Sequence, residues 1–221
     1  MKAIIFDLDD TLILEKDYVR SGYQAVSKVL ESKLQMKSSM IDQLLWQLFE
    51  DDSKQVFNRF FDYLQISYEI SDIKNLIKIY REHKPKIELL EDAKETIQIL
   101  KSRSIKLGII SDGYSITQRN KVEAIGADKI FDKVILTDEL GQEFWKPDKK
   151  AFELMQQEFQ VPFEEMIYVG DNPLKDFYVK KYIPIMTARI YRKDGVYKDR
   201  EYRENIKEDY SLNSLKELLK L

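Results

Sequence analysis

The sequence of 221 residues contains no cysteine and only one histidine, His83. Without cysteine, the chain has no disulfides, no thiolate nucleophile and no cysteine-bound zinc or iron–sulfur centre. His83 stands beside Lys84, and we expect it to be a solvated side chain and not a catalyst. Any metal bound by this chain must therefore rely mainly on oxygen ligands.

The sequence also lacks an excess of one charge and any long apolar run. Its 36 lysines and arginines nearly balance 39 acidic residues, so the chain as a whole does not attract nucleic acid or an anionic membrane. The apolar run Ala3–Phe6 is too short for a signal peptide, and no stretch approaches membrane-spanning length. We expect a cytoplasmic protein that binds neither nucleic acid nor membranes, while its oligomeric state stays open.

Three short apolar runs are rich in β-branched and aromatic residues, as the buried strands of a parallel sheet are. They span Ala3–Phe6, 107–110 and 166–169, and a weaker run spans Lys133–Leu136. Helical patterns separate these runs, for example Ala93, Ile97 and Leu100 before the second run. This alternation indicates βαβ units, and we predict a doubly wound, Rossmann-like α/β core with a parallel sheet.

The pattern changes after residue 12, where amphipathic helical stretches follow one another without a strand. They cover roughly 16–34, 40–49, 53–64 and 71–81. One stripe at helical spacing, typical of a small helical core, comprises Phe57, Phe60, Phe61 and Leu64. We therefore predict two domains, an α/β core formed by residues 1–13 and 85–221 and a small helical domain formed by residues 14–84.

Two C-terminal segments carry different patterns. Residues 192–207 interleave basic and acidic side chains, which indicates a solvated loop or ribbon and not a nucleic-acid patch. Residues 211–221 place four leucines on one face of a helix: Leu212, Leu215, Leu218 and Leu219. We expect that helix to dock on the sheet.

Acidic and hydroxyl residues follow the predicted strands where each strand ends. They are Asp7 and Asp9 after the first run, Ser111 and Asp112 after the second, and Asp171 and Asp176 after the third, with Lys146 in the region before it. Ligands bind at these carboxyl ends in an open α/β sheet. Carboxylates brought together repel one another, so a cation should accompany them, and all-oxygen ligation suits magnesium better than zinc. The sequence therefore predicts a magnesium site in this crevice.

The run Asp7-Leu8-Asp9-Asp10-Thr11 resembles the first motif of the haloacid dehalogenase superfamily, in its phosphatase branch. Ser111, Lys146 and residues 170–176 resemble the second, third and fourth motifs in the same order. The resemblance covers the core from residue 3 to about residue 177, and the helical insertion resembles the family's cap, which closes over the substrate. It implies a magnesium-dependent phosphatase that hydrolyses a small phosphorylated metabolite.

The resemblance also implies roles for the acidic residues. Asp7 is expected to attack phosphorus and form an aspartyl-phosphate, and Asp9 to protonate the leaving alcohol and then activate water. Magnesium is expected on the Asp7 carboxylate, the Asp9 backbone carbonyl and the Asp171 carboxylate. Asp176 is expected to orient Lys146 or metal-bound water.

The second and third motifs are expected to bind the phosphate. Ser111 is expected to donate a hydrogen bond to a phosphoryl oxygen, and Lys146 to place a compact positive charge beside it. The backbone amides of Asp112 and Gly113 are expected to add further donors, because glycine allows close approach.

Two residues near the first motif are further candidates for a substrate contact. Thr11 lies within the motif, although it is equally suited to cap the turn. Arg20 follows the motif closely enough to face the site. Asp10 is expected to lie outside the set of groups that touch metal or substrate.

Other activities of the same superfamily stay open at this point. A 2-haloacid dehalogenase uses an aspartate nucleophile without metal and needs no second carboxylate, so Asp9 favours phosphate chemistry. A phosphomutase could use the same two aspartates, and nothing in the helical insertion decides between transfer and hydrolysis. A non-catalytic phosphate-binding protein would be expected to lose Asp7, Asp171 or Lys146, and all three are present.

Overall fold

A computed structural model describes residues 1–197 and 200–221, and the chain divides into two compact units. The first unit comprises Met1–Glu15 and Ile87–Leu221, and the second comprises Lys16–Lys86. The domain boundaries expected from the sequence, after residues 13 and 84, differ from these by two residues.

The first unit is built on a six-stranded sheet in which each strand is parallel to its neighbours. The strands are β1 Ala3–Phe6, β2 Lys106–Ser111, β3 Lys133–Leu136, β4 Met166–Gly170, β5 Met186–Ile190 and β6 Tyr210–Leu212. They lie in the order β3-β2-β1-β4-β5-β6. Every residue of β1 and β4 is buried, as expected for inner strands of a parallel sheet covered on both faces.

Eight α-helices lie within the described residues. They are α1 Glu15–Leu34, α2 Ser38–Asp51, α3 Val56–Tyr63, α4 Ile70–Glu82, α5 Glu91–Ser102, α6 Ser115–Ala124, α7 Ala127–Ile130 and α8 Lys150–Phe159. Short 3-10 helices span Thr137–Glu139, Gln142–Phe144, Phe163–Glu165, Tyr178–Lys181, Arg203–Asn205 and Leu215–Lys220. Helices α5 to α8 belong to the first unit, in which they alternate with strands.

One side of the sheet packs against α8. Phe152 and Met155 of this helix are fully buried and join a cluster that includes Ile5 of β1 and Tyr168 of β4. Gly108 of β2 makes room for them, because a Cβ atom there would lie 2.7 Å from the Met155 sulfur. Truncating Phe152 to alanine would cost roughly 3–5 kcal/mol of stability.

The strand order places a switch point between β1 and β4. The chain proceeds from β1 outward through β2 and β3 on one side, and through β4, β5 and β6 on the other. A crevice opens at such a point, outside the carboxyl ends of the strands. The prediction of a doubly wound, Rossmann-like α/β core is confirmed.

The second unit consists of α1 from Lys16 onward together with α2, α3 and α4. Its core is a single apolar cluster that includes Val26, Leu30, Ile41, Leu45, Phe57, Phe60, Phe61 and Leu76. The predicted stripe on α3 belongs to this cluster, with Leu64 packed at its margin. α3 begins at Val56 and not at Ser53, because Gln55 adopts a left-handed conformation with φ 51°.

The expectation that His83 is a solvated side chain is wrong. His83 is 9% exposed, and its Nδ1 atom lies 2.6 Å from the carbonyl oxygen of Tyr80. Its ring also lies 4.8 Å from the ring of Tyr18. His83 is therefore part of the packing of the second unit.

Strands β5 and β6 were not expected from the sequence. β5 interrupts its apolar pattern with Thr187 and Arg189, both of which are buried. The Arg189 guanidinium donates to the Tyr202 hydroxyl at 2.8 Å and to the Tyr197 carbonyl at 2.9 Å. β6 has only three residues, two of them exposed, so it lacks the apolar run that identifies the inner strands.

The expected helix over 211–221 is wrong in type and position. Ser211 and Leu212 belong to β6, and a 3-10 helix follows at Leu215–Lys220. This helix packs mainly against α5, where the Asp92 carboxylate accepts a hydrogen bond from the Leu215 amide at 2.8 Å.

The segment 192–207 includes Lys198 and Asp199, which lie outside the described residues. Its described part is not simply a solvated loop, because Arg192 and Tyr202 are partly buried and hydrogen-bonded to other parts of the first unit.

Within the described ranges 1–197 and 200–221, no helix combines the length and the apolar character that crossing a membrane requires.

Candidate active site

Asp7 lies immediately beyond β1, at the switch point of the sheet. The Asp7 amide donates a hydrogen bond to the Val169 carbonyl of β4 at 2.8 Å, so the backbone continues the strand pairing as far as Asp7. Asp171 is the first residue beyond β4, and it lies one residue past the position opposite Asp7, because Phe6 pairs with Val169. Adjacent parallel strands therefore bring these two carboxylates together.

Lys146 is a buried cation that contacts the carboxylates at this edge of the sheet. Its Nζ atom donates to Asp7 Oδ1 at 2.6 Å, to the Tyr168 hydroxyl at 2.7 Å and to Asp176 Oδ1 at 2.8 Å. Burial lowers the pKa of Lys146, but the Asp176 and Asp7 carboxylates outweigh it and hold this pKa well above the usual value. Lys146 is therefore charged and fixed by three oxygen atoms.

Asp7, Asp171 and Asp176 form a buried carboxylate cluster. One oxygen atom from each lies within 4.8 Å of the others, so together they offer an arrangement that could hold a metal ion. Burial raises the pKa of Asp7 to about 7, against the opposing charge of Lys146. Burial and the charges of Asp176 and Asp7 raise the pKa of Asp171 to about 9. An all-oxygen donor set with this surplus of negative charge fits Mg²⁺.

Asp176 connects this cluster to the backbone of the β4 loop. Its Oδ2 atom accepts a hydrogen bond from the Asn172 amide at 2.8 Å, while Oδ1 binds Lys146. Gly170 lies beneath it, and a Cβ atom at Gly170 would approach Asp176 Cγ to 2.7 Å. The last residue of β4 must therefore be small for Asp176 to reach Lys146.

Asp9 points to a different set of partners on α6. Lys121 Nζ lies 2.7 Å and 2.8 Å from the two Asp9 carboxylate oxygens, and Gln118 Nε2 donates to Asp9 Oδ2 at 2.8 Å. Gln118 Nε2 also donates to Ser111 Oγ at 2.6 Å. Because Ser111 accepts this bond, its hydroxyl hydrogen is available for another acceptor. Gln118 therefore connects Asp9, the expected acid of the first motif, to the Ser111 hydroxyl of the second motif.

Asp112 anchors the loop after β2. Its carboxylate accepts hydrogen bonds from Thr137 Oγ1 at 2.7 Å, from the Lys146 amide at 3.1 Å and from Lys175 Nζ at 3.0 Å. Burial raises the pKa of Asp112, but the positive charges of Lys146 and Lys175 outweigh it and bring the pKa below the usual value. The next residue, Gly113, has φ 126°, which side chains disfavour.

A cavity of about 120 Å³ opens at this edge of the sheet, and all of its lining residues belong to the first unit. They are Asp7, Asp9, Asp10, Glu15, Asp112, Asp171, Asn172, Lys175 and Tyr197. Burial and the charge of Asp9 raise the pKa of Glu15 to about 7, although Lys121 opposes this. The cavity is smaller than the roughly 300–1,000 Å³ typical of pockets for drug-sized ligands.

Most of the site residues predicted from the sequence meet at this cavity or contact its walls. Asp7, Asp9, Asp112 and Asp171 line it, and the hydrogen bonds above connect Ser111, Lys146 and Asp176 to them. Gly113 follows Asp112 directly. The catalytic and metal-binding roles of these residues stay predictions.

Thr11 and Arg20 do not line the cavity. Thr11 is fully buried, and its carbonyl accepts a hydrogen bond from Arg192 at 2.6 Å. Arg20 belongs to the second unit, where its guanidinium pairs with Asp42 at 3.2 Å and stacks over Trp46 at 4.9 Å. Their substrate contacts stay predictions, and the Arg20 side chain already pairs within the second unit.

Several residues of the site were not predicted. They are Glu15, Gln118, Lys121, Thr137, Tyr168, Asn172, Lys175 and Tyr197. One usable signal was present: Gln118 and Lys121 are three residues apart on a helix that follows the second motif, so they share one face. Tyr197 gave no signal, because it lies in a charged loop far from any motif.

Fold and site together define an α/β protein with a carboxylate-rich candidate site at the switch point of its sheet. Residues 4–190 match the family of haloacid dehalogenase-like hydrolases, and the chain belongs to this family. The resemblance drawn from the four motifs is confirmed, as is the prediction that the chain is a hydrolytic enzyme.

Similar proteins include two curated phosphatases. The glyceraldehyde 3-phosphate phosphatase of Methanocaldococcus jannaschii is 32% identical over 226 residues, covering 99% of this chain and 96% of that protein. The pyrophosphatase PpaX of Bacillus anthracis is 25% identical over 224 residues, covering 99% and 95%. A solved structure described as a HAD phosphatase from Thermococcus onnurineus is 25% identical with a TM-score of 0.62, covering 100% and 97%.

Proposed function

We propose that this protein is a Mg²⁺-dependent phosphatase that hydrolyses a small phosphate monoester through an aspartyl-phosphate on Asp7. The observation that carries this proposal is the buried contact between Lys146 and Asp7, beside two further carboxylates at the switch point of the sheet. The curated relatives, which are named as phosphatases, support the same reaction class.

Asp7 and Asp171 would hold Mg²⁺ through their carboxylates, and the Asp9 backbone carbonyl is expected as a third ligand. When bound, Mg²⁺ would offset the negative charges of the carboxylates and of the phosphate, which otherwise repel each other. The surplus negative charge described above supports this assignment.

In the first step, an oxygen of the Asp7 carboxylate attacks phosphorus and the bond from phosphorus to the leaving oxygen breaks. Lys146 holds Asp7 in place at 2.6 Å and lowers the repulsion between the carboxylate and the phosphate. Ser111 directs its hydroxyl hydrogen to a phosphoryl oxygen, since the Ser111 oxygen already accepts a hydrogen bond from Gln118. Lys175 lines the same cavity and adds a second positive charge.

Asp9 moves the protons of the reaction. As an acid it would give a proton to the leaving alkoxide, which departs as an alcohol. As a base it would then take a proton from water, whose oxygen attacks phosphorus and releases inorganic phosphate and the Asp7 carboxylate. Lys121 and Gln118 hold the Asp9 carboxylate in one orientation, so they position the group that makes these transfers.

The leading candidate substrate is glyceraldehyde 3-phosphate, because the relative with 32% identity over nearly the full chain is named for it. The small volume of the cavity, about 120 Å³, favours a small ester of this kind over a large one. Pyrophosphate is the second candidate, because another full-length relative is a pyrophosphatase.

Release of inorganic phosphate from para-nitrophenyl phosphate and from glyceraldehyde 3-phosphate tests the proposal. We expect the purified chain to be active with Mg²⁺, inactive in excess chelator, and at least about 1,000-fold slower as Asp7→Asn. Asp62→Asn, on an exposed surface of α3, is the matched control and should retain activity. Undiminished turnover in chelator would refute the metal requirement, and a fully active, freshly purified Asp7→Asn protein would refute the nucleophile.

A further inference from the structure

The loop that follows β5 is fixed to the first motif by side-chain hydrogen bonds. The Arg192 guanidinium donates to the Thr11 carbonyl at 2.6 Å and to the Asp92 carboxylate at 2.8 Å. The Val196 amide donates to Asp10 Oδ2 at 2.8 Å. Two of these three bonds reach residues of the run that also carries Asp7 and Asp9. The loop is therefore held beside the reacting groups.

These anchors place Tyr197 in the wall of the cavity. Its own carbonyl accepts a hydrogen bond from Arg189 at 2.9 Å, which fixes its backbone from the side of β5. The residue before it binds Asp10, and both Asp10 and Tyr197 line the cavity. Tyr197 is the one aromatic residue among the described lining residues, so it supplies the largest rigid surface there.

Tyr197 lines the cavity together with three acidic residues, Asp9, Asp10 and Glu15, whose negative charge Lys121 offsets only in part, through its contact with Asp9. We call these four lining residues the acidic wall. The phosphate itself belongs near Lys146, which binds Asp7, and near Lys175, which pairs with Asp112. The rest of the ester must lie next to Asp9, the acid that protonates it, and therefore beside the acidic wall. A second negative charge placed there would be repelled, whereas a hydroxyl or carbonyl could hydrogen-bond to the phenol.

We propose that Tyr197 determines leaving-group specificity: it contacts a small, uncharged, oxygen-bearing leaving group, while the acidic wall excludes leaving groups with a second anionic group. This inference rests on the proposed phosphatase activity and deepens it. It places glyceraldehyde 3-phosphate among the accepted substrates, and pyrophosphate and carboxylate-bearing esters among the rejected ones.

The test compares kcat/KM of the magnesium-loaded full chain for two substrates of the same shape, glyceraldehyde 3-phosphate and 3-phosphoglycerate, with pyrophosphate as a third. The ratio of the two kcat/KM values does not depend on the fraction of active enzyme. We expect the wild type to favour the aldehyde by about tenfold or more, which corresponds to about 1.4 kcal/mol. Glu15→Gln should narrow this ratio at least about threefold.

Two substitutions of Tyr197 examine the contact itself. Tyr197→Phe should raise KM for glyceraldehyde 3-phosphate about 3- to 10-fold with a much smaller change in kcat, since it removes one hydrogen bond to the ligand. Tyr197→Ala should also widen the range of esters accepted. Tyr182→Ala, an exposed tyrosine of the same unit, is the control and should leave every ratio unchanged.

The outcomes separate this inference from the proposed function. If the wild type releases phosphate from none of the esters, the proposed function fails. If it is an active phosphatase but accepts 3-phosphoglycerate or pyrophosphate as well as the aldehyde, the acidic-wall part of the inference is wrong. If Tyr197→Phe and Tyr197→Ala match Tyr182→Ala in KM and in substrate ratios, Tyr197 does not contact the leaving group.

Discussion

Asp171→Asn should make the metal-free protein more stable than the wild type and should remove most of the stabilisation that Mg²⁺ gives the wild type. In the folded chain, burial and the charges of Asp176 and Asp7 raise the pKa of Asp171 from 3.8 to about 9. Folding must therefore either protonate this carboxyl at neutral pH or accept its repulsion. An amide has almost the same shape and carries no charge, so the substitution removes that cost.

The size of the effect follows from the distances. Two unit charges 4.8 Å apart, the limit of separation within the cluster, repel by about 3.5 kcal/mol at an effective dielectric constant of ~20. Lys146 offsets part of this repulsion, so we expect a gain of about 2–3 kcal/mol in chelator. For a chain of this length the gain corresponds to a rise of roughly 5–10 °C in Tm.

The pH dependence has a definite sign. A carboxyl whose pKa is higher in the folded than in the unfolded state binds a proton on folding, so stability falls as pH rises between the two pKa values. In chelator, the wild type should therefore lose stability from about pH 4 towards pH 9. The stability of Asp171→Asn should change less with pH, so the difference in stability between the variant and the wild type should increase from about pH 4 towards pH 9.

Thermal unfolding with and without Mg²⁺ is the assay. At tenfold excess over its Kd, Mg²⁺ should stabilise the wild type by about 1.4 kcal/mol, or roughly 3–5 °C. Asp171→Asn should show little or none of this shift, while the exposed control Asp62→Asn should match the wild type. The reasoning is refuted if Asp171→Asn is less stable than the wild type in chelator, or if both respond equally to Mg²⁺.

Three further predictions concern positioning and stability. Lys121→Met should lower kcat/KM for an alkyl phosphate by roughly 10- to 100-fold, and less for para-nitrophenyl phosphate, because it frees the Asp9 carboxylate from its 2.7 Å partner. Gly170→Ala should cost about 1–3 kcal/mol in urea denaturation, because the added Cβ displaces Asp176. Burial raises the pKa of Asp92, but hydrogen bonds from Arg192 and its neighbours outweigh it and lower the pKa. Asp92→Asn should therefore lose about 1–2 kcal/mol at pH 7, and the difference from the wild type should vanish as pH falls below about 4.

Each of these predictions has a result that contradicts it. Equal losses of Lys121→Met with the two leaving groups would show that Lys121 does not act through Asp9. A Gly170→Ala protein with wild-type stability would show that the loop after β4 accommodates the added Cβ atom without loss of stability. A constant stability difference for Asp92→Asn from pH 3 to pH 7 would exclude the depressed pKa as its cause.

The inner strands of the sheet could be predicted because a strand buried on both faces must be apolar throughout. β1 and β4 meet this condition at every position. β5 does not meet this condition, because Arg189 interrupts its apolar run. The hydrogen-bond partners that allow this arginine to be buried lie in the following loop. A buried arginine within a strand is indistinguishable, in the sequence, from an exposed one.

The same distinction applies to the site. Residues at strand ends could be predicted because parallel strands bring their carboxyl ends to one edge, which is why Asp7 and Asp171 were expected together. Lys121 meets Asp9 across 112 positions of sequence, from the face of a helix. Tyr197 reaches the cavity only because Arg189 and Asp10 fix its loop. Neither contact follows from a local pattern.

The central claim is that Asp7 becomes covalently phosphorylated, and trapping that intermediate tests it most directly. A single turnover with a ³²P-labelled ester, quenched in acid and reduced with borohydride, converts a phosphorylated aspartate to homoserine that mass spectrometry can locate. We predict acid-stable, base-labile label on the wild type with homoserine at position 7, and none on Asp7→Asn. Rapid phosphate release without trapped label, or label on another residue, would contradict the account.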